Sequence, residues 1–124
     1  MTPFEHSLLS VRDFGGKVED YLKLHEYLDQ TKFMLPHWSH RMFLHNTLGM
    51  SLCEQQFGAA INNSNNIEIS TREIARLHIV QDLDGKVPTI EEWVTAIKKD
   101  KMEHWMLKPK KSDIDWLKEH HYKK

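Results

Sequence analysis

With 124 residues, the chain has the length of one domain. Its formal net charge of −1 argues against a general nucleic-acid coat, and its single cysteine, Cys53, excludes an internal disulfide bond. No apolar run approaches the roughly 20 residues that a transmembrane helix needs, and the first ten residues lack the pattern of a signal peptide. We therefore expect a cytoplasmic protein that contacts neither membrane nor nucleic acid.

Helix-start and helix-stop signals predict the first two helices. Thr2 can cap a helix that Glu5 supports as a capping box, and the pair Gly15-Gly16 ends it. A second helix is expected over about residues 17–32. Each helix has a predicted apolar face: Phe4, Leu8 and Val11 on the first, and Tyr21, Leu24 and Leu28 on the second.

The third predicted helix, residues 36–57, is the longest, and Gly49 within it suggests close packing. Cys53 lies in its apolar part and is interpreted as a small core residue. Alternating isoleucines around an asparagine-rich tip predict a short hairpin over residues 59–69. The apolar stripe of the third helix consists of Leu44, Leu48 and Leu52.

Two further helices are predicted by capping boxes. Ser70 and Glu73 begin the first of them, and a turn at Asp84-Gly85 follows it. Thr89 and Glu92 begin the second. The face of the second of these is expected to be widely apolar, with Trp105 and Met106 covering one end of the core. That apolar face consists of Ile90, Trp93, Val94 and Ile97.

The C-terminal segment is interpreted as an appendage. A basic joint containing Pro109 precedes a short amphipathic helix from Ser112, on which Trp116 is a candidate anchor for a partner subunit. The expected organisation is a compact helical domain over residues 1–107 and a joint and tail helix over residues 108–124, through which the chain would form a homo-oligomer. The fold class predicted is mainly α, a small helical bundle with one short β-hairpin and a C-terminal appended helix.

The chemistry of the chain is expected to lie in its nine histidines, because the sequence has no phosphate loop, no zinc-type cysteine pair and no nucleophile elbow. His25 and Asp29 are spaced to share one helix face, and so are His78 and Asp82. With His45, these four residues form the first hypothesis, a metal site for zinc, manganese or iron. No cofactor is certain from the sequence, and a divalent metal ion is the candidate.

The second hypothesis is a pocket for an anion or phosphate, because arginine, lysine and histidine side chains supply charged donors. Its candidate residues are Lys32, His40, Arg41, His45, Arg72 and Arg76. A third interpretation is that all of these groups form structural ion pairs. The remaining histidines considered, His6, His104, His120 and His121, are interpreted as surface or boundary residues.

A set of scattered residues also resembles a known pattern. Its members are Phe14-Gly15-Gly16, Asp20-Tyr21, His25, Asp29, Lys32, Ser39-His40-Arg41, Leu44-His45, Phe57-Gly58, Arg72, His78, Val87-Pro88-Thr89 and Trp93. Together they resemble a family of short bacterial and phage proteins known as a domain of unknown function, over about residues 3–106. The resemblance implies one compact unit of cytoplasmic or phage origin, and it implies no established activity.

Three functions follow as hypotheses. The leading one is a binding protein for a small anionic, nucleotide-like ligand, in its specific form a phage-encoded protein that sequesters a host nucleotide signal. The alternative is a metal-dependent hydrolase of phosphate esters that uses a His/Asp site and a metal-bound water. The second alternative is a protein-interaction module without a small-molecule site. Catalytic residues are not assigned.

Overall fold

A computed structural model of the chain describes residues 1–33, 41–98 and 104–122. Its helices are α1 (Pro3–Phe14), α2 (Leu22–Leu28), α3 (Arg41–Leu44), α4 (Thr47–Phe57), α5 (Thr71–Asp82), α6 (Ile90–Lys98), α7 (His104–Leu107) and α8 (Lys111–His120). Short 3-10 helices cover Val18–Asp20 and Gln30–Phe33, and the strands are β1 (Ala60–Asn62) and β2 (Glu68–Ser70). The fold is therefore mainly helical with one hairpin, as the sequence predicts.

Helix starts follow the predicted capping residues closely. The Thr2 hydroxyl accepts a hydrogen bond from the Glu5 amide at 3.1 Å, and the Glu5 carboxylate accepts one from the Thr2 amide at 2.8 Å. Thr89 and Glu92 form the same reciprocal box at the start of α6. At the start of α5, Ser70 caps as predicted, whereas the carboxylate of Glu73 pairs with Arg76 instead of answering the cap.

The second and third predicted helices are interrupted. The second consists of α2 with a short 3-10 helix on either side. In its described part, the third helix breaks at His45 and Asn46, because the Asn46 side chain caps α4 by accepting from the Gly49 amide at 2.9 Å. Residues 36–40 of that prediction lie outside the described residues.

Gly49 explains why the chain can turn so sharply at this break. A Cβ atom added at Gly49 would lie 1.7 Å from the carbonyl oxygen of Leu44. The predicted close packing at Gly49 is therefore confirmed, and its partner is the backbone of α3.

Helix α5 lies at the centre of the molecule, in contact with α1, α2, α4 and the hairpin. Its sequence fits that position, because several of its sides carry buried residues, among them Ile74, Ala75 and Ile79. The hairpin pairs Ile61 with Ile69 and leads directly into α5, as predicted. Cys53 is fully buried beside these residues, as expected of a core cysteine.

Three predicted apolar faces need correction. On α1, Phe4 is 44% exposed, and the buried residues are instead His6, Ser7, Leu9 and Ser10. On α4, Leu48 is exposed, because the break before the helix rotates it away from the core. On α6, Trp93 and Ala96 are buried, whereas the predicted core residues Ile90, Val94 and Ile97 are exposed. The stripe Tyr21, Leu24 and Leu28 on α2 is buried as predicted.

The tail helix α8 packs against α1 of the same chain. Leu117 is fully buried, and Arg12 of α1 donates a hydrogen bond to Asp113 at 3.1 Å. Trp116 is partly buried beneath the guanidinium of Arg12, which lies 5.3 Å from its ring centroid. The division into residues 1–107 and 108–124, and the role of Trp116 as an anchor, stay predictions. Within the described ranges, no helix combines the length and apolar character needed to cross a bilayer.

Candidate metal centre

Six buried polar side chains meet around α5, each at most 5% exposed. They are four histidines and two aspartates: His6, His25, His45, His78, Asp29 and Asp82. The helical spacing places them together, because His78 and Asp82 are one turn apart on α5, and Asp29 follows His25 by one turn at the end of α2. The predicted convergence of the two His/Asp pairs in one interior site is therefore present.

His45 reaches the cluster from the break between α3 and α4. The indole nitrogen of Trp93 donates a hydrogen bond to the backbone oxygen of His45 at 3.0 Å, which fixes this turn of the chain. The Nε2 atom of His45 then lies 2.7 Å from Oδ2 of Asp82.

Four donor atoms in the cluster have the spacing of metal ligands. Nε2 of His78 lies 3.1 Å from Oδ1 of Asp29, 3.1 Å from Nε2 of His45 and 3.6 Å from Oδ2 of Asp82. Nε2 of His45 lies 3.5 Å from Oδ1 of Asp29, and all four atoms fall within 4.8 Å of one another. Bonds of about 2.1 Å to a tetrahedral zinc ion would place its ligands about 3.4 Å apart. The four atoms can therefore surround one metal ion after small movements.

A second group of histidines is close enough to hold a metal but has the wrong orientation. Donor atoms of His6, His25 and His78 also lie within 4.8 Å. The rings of His6 and His78, however, lie face to face, with centroids 3.7 Å apart and an interplanar angle of 24°. A metal ion lies in the plane of each imidazole that binds it, so stacked rings do not direct their lone pairs to one point. His45 and His78 meet at 66°, which suits a shared ion.

The electrostatics of the cluster favour the neutral forms of His25 and His78 and the charged forms of Asp29 and Asp82. Burial lowers the pKa of His25 well below its usual value, and it lowers the pKa of His78 to about 4. Burial alone would raise the pKa of Asp29 and of Asp82, but the imidazoles that face them outweigh it and lower both pKa values. At neutral pH His25 and His78 therefore offer lone pairs, and Asp29 and Asp82 carry negative charges. The N-terminal ammonium of Met1 lies 3.1 Å from Oδ1 of Asp82.

Asp29 connects this cluster with the protein surface. Its Oδ2 atom is buried and has no hydrogen-bond partner in the described part of the chain. Asp29 also lines a cavity of about 600 Å³. Among the residues that the structure describes, Pro3, Glu26, Gln30 and Lys32 also line it. An ion or a substrate in this cavity would reach the cluster at Asp29.

The residues predicted for an anion pocket are spread over the molecule. Arg72 donates to the hydroxyl of Ser51 and lies 3.8 Å from Glu54. Arg76 forms an ion pair with Glu73 at 2.6 Å. The other placements are Lys32 exposed at the cavity, Arg41 bonded to the carbonyl of Met106, His45 in the cluster, and His40 outside the described residues. These cationic groups are therefore not gathered into one pocket among the described residues.

The sequence-based assignment missed His6. It was expected near the surface, but it is fully buried, and its Nε2 atom lies 3.2 Å from Oδ2 of Asp82. One signal was available, because His6 and Ser10 share a face of α1 at the same four-residue spacing used for the other pairs. His120 and His121 are exposed as predicted, and the side chain of His104 lies outside the described residues.

His25 has a different position from the one expected of a ligand. Its Nδ1 atom lies 2.8 Å from Nδ1 of His78, on the side of that ring opposite the four donor atoms. His25 therefore contacts the ring nitrogen of His78 that does not face the other candidate ligands.

Comparison with known proteins adds a family and no activity. No curated protein matches the chain, and no solved structure does so either. Residues 1–106 match the family described as a domain of unknown function, DUF6915. The match includes every residue of the histidine and aspartate cluster and ends before α8. The chain therefore belongs to the DUF6915 family.

Proposed function

We propose that this protein binds one divalent transition metal ion through Asp29, His45, His78 and Asp82. The observation that supports the proposal best is the mutual spacing of four buried donor atoms, all within 4.8 Å. Imidazole and carboxylate ligands together suit zinc, manganese or iron. The four residues come from separate parts of the chain, so the site depends on the complete fold.

A metal ion accounts for this cluster better than a purely structural ion-pair network. Asp82 already accepts a hydrogen bond from the N-terminal ammonium of Met1 at 3.1 Å, whereas the buried carboxylate of Asp29 faces the imidazoles of His45 and His78. A divalent cation would balance the charge of Asp29. It would also give a role to the buried Oδ2 atom of Asp29, by binding through the carboxylate as a whole.

We propose further that the bound metal serves hydrolysis of a phosphate ester. The cavity beside Asp29 supports this, because it gives a substrate access to the cluster and is lined by Lys32. A metal ion in such a site supplies Lewis-acid stabilisation and an activated water. Lys32 would attract the anionic phosphate of the substrate. The proposal therefore keeps the preference for anions that the sequence predicts, and the substrate is the anion.

Turnover by reconstituted protein tests this proposal. Protein stripped of metal and then supplied with zinc or manganese should hydrolyse 4-nitrophenyl phosphate or its diester, and metal-free protein should not. Asp82→Asn should abolish both metal binding and turnover. Asp84→Asn is the matched control, because Asp84 is exposed two residues away and should retain both. Metal binding without turnover of either ester would contradict the hydrolase proposal and leave metal binding intact.

The cellular context is part of the same proposal. We expect a cytoplasmic location, which the single free cysteine, Cys53, supports.

Self-association through the tail would have to use the exposed side of α8, since Leu117 already packs within the chain. Size-exclusion chromatography of the full chain checks this expectation.

A further inference from the structure

We propose that His25 and Ser10 form a hydrogen-bond relay that sets which ring nitrogen of His78 is free to bind metal. The inference rests on the metal binding proposed above and assigns positioning roles to two residues outside the ligand set. Groups that hydrogen-bond to the remote nitrogen of a histidine ligand fix its tautomer and raise metal affinity.

The relay is a chain of three hydrogen bonds that leads away from the metal ligands. Nδ1 of His78 lies 2.8 Å from Nδ1 of His25, and Nε2 of His25 lies 2.8 Å from the hydroxyl of Ser10. The Ser10 hydroxyl also lies 3.1 Å from the backbone oxygen of His6, to which it can donate. All of these side chains are buried.

Proton counting allows two directions for this chain. A neutral imidazole has one N–H donor and one lone pair, and a hydroxyl has one hydrogen to donate. A single proton therefore lies between the two Nδ1 atoms of His25 and His78. The ring that holds this proton has a lone pair on its other nitrogen, and the other ring has its proton there. The position of this one proton therefore fixes which atom donates in each hydrogen bond of the chain.

Without metal, the carboxylates select one direction. Nε2 of His78 faces Oδ1 of Asp29 at 3.1 Å, so it carries the proton and donates it. Nδ1 of His78 then accepts from Nδ1 of His25, and Nε2 of His25 accepts from Ser10.

With metal bound at Nε2 of His78, every bond reverses. Nδ1 of His78 must carry the proton and donate it to His25, which then carries its own proton on Nε2 and donates it to Ser10. Ser10 turns its hydrogen toward the backbone oxygen of His6 at 3.1 Å. The proton displaced from Nε2 of His78 is released to water, and water supplies the proton that Nε2 of His25 gains. Each imidazole therefore keeps one proton, and the net charge of the relay does not change.

Ser10 matters more for the metal-bound direction than for the metal-free one. If Ser10 loses its hydroxyl, the metal-bound protein is left with a buried N–H on His25 that has lost its acceptor. The metal-free protein is left only with an unused lone pair. A buried donor without an acceptor is the costlier defect. Ser10→Ala should therefore weaken zinc binding by about 10-fold or more.

Nitrogen-15 NMR of the imidazole rings reads the relay directly. We expect zinc to move the proton of His25 from Nδ1 to Nε2 in the full-length protein, although His25 is not a ligand. His78 should change from the Nε2–H to the Nδ1–H form at the same time. If zinc binds and His25 keeps one tautomer, the relay is wrong and the metal site stands. If zinc does not bind to the parent protein, the proposed function itself fails.

Zinc affinity of two serine variants separates the relay from ordinary packing. Ser7 provides the control, because it is buried on the same helix and bonds to the backbone oxygen of Pro3 at 2.8 Å in the same way as Ser10 bonds to that of His6. Ser7→Ala should bind zinc as the parent protein does, whereas Ser10→Ala should bind it more weakly at a similar melting temperature. Equal zinc affinity in the two variants would overturn the relay.

Discussion

Asp29 is the residue at which the metal interpretation and the ion-pair interpretation predict opposite results. Its Oδ1 atom accepts from His78 at 3.1 Å, and its Oδ2 atom has no hydrogen-bond partner among the described residues. If the carboxylate exists to hold a cation, removing its charge costs the metal-free protein little. If it is half of a structural ion pair, removing its charge should cost about 3–5 kcal/mol.

We expect Asp29→Asn to lower the free energy of unfolding of the metal-free protein by less than about 1 kcal/mol, because the amide oxygen can still accept from His78. The parent protein should gain about 4 kcal/mol from zinc at 1,000 times its Kd, and the variant should gain almost none. Chemical denaturation with and without zinc measures both values. A large loss in the metal-free state, together with no zinc effect on the parent, would support a structural ion pair instead.

Cys53 gives a pH-dependent prediction that does not involve the cluster. Burial raises the pKa of its thiol to about 12, whereas an unfolded cysteine has a pKa of about 8.5. Above the lower value the unfolded chain has released a proton that the folded chain retains, so stability falls as pH rises from about 8.5 toward 12. The free energy of unfolding should fall more steeply with pH in the parent than in Cys53→Ala. Identical slopes for the two proteins would show that Cys53 ionises without hindrance.

At the scale of elements, the break between α3 and α4 is what places His45 in the cluster. Gly49 permits the break, because a Cβ atom there would lie 1.7 Å from the Leu44 carbonyl oxygen. Gly49→Ala should lower the free energy of unfolding by about 3 kcal/mol or more and should weaken zinc binding by displacing His45. Ser51→Ala, on the same helix, should do neither. Unchanged stability in Gly49→Ala would mean that the break can move without cost.

The contact between α8 and α1 gives a second prediction at this scale. Leu117 is fully buried against the rest of the chain, and Lys118 beside it is exposed. Leu117→Ala should lower the free energy of unfolding by about 2–5 kcal/mol, and Lys118→Ala should leave it nearly unchanged. Zinc affinity should stay the same in both variants, because α8 supplies no ligand. Thermal and chemical denaturation measure the first effect, and a stability equal to the parent's in Leu117→Ala would show that α8 does not pack against α1.

For the molecule as a whole, local signals predicted the fold well. Thr2 with Glu5 and Thr89 with Glu92 begin helices as expected, because a cap depends on a few neighbouring residues. The hairpin is present for the same reason. The break at Asn46 was missed, since a capping asparagine inside a long apolar pattern is recognisable only when the chain around it is seen to turn.

The site was predictable in part. His25, Asp29, His78 and Asp82 were identified by helical spacing, but that spacing does not reveal which pairs meet across the bundle. His6 was missed because the apolar residues of α1 indicated the opposite face, and Phe4 on that face is exposed. A helix that buries polar groups against a buried polar cluster departs from the rule that apolar faces point inward.

Zinc titration of the full-length, metal-stripped protein, followed by X-ray absorption at the zinc edge, gives the clearest test of metal binding. We predict one zinc ion per chain, bound by nitrogen and oxygen ligands with no sulfur, since Cys53 belongs to the separate apolar core. His78→Ala should abolish this binding, and His120→Ala, at an exposed histidine, should not. Absence of stoichiometric zinc, manganese or iron binding by the parent protein would contradict the proposed metal site.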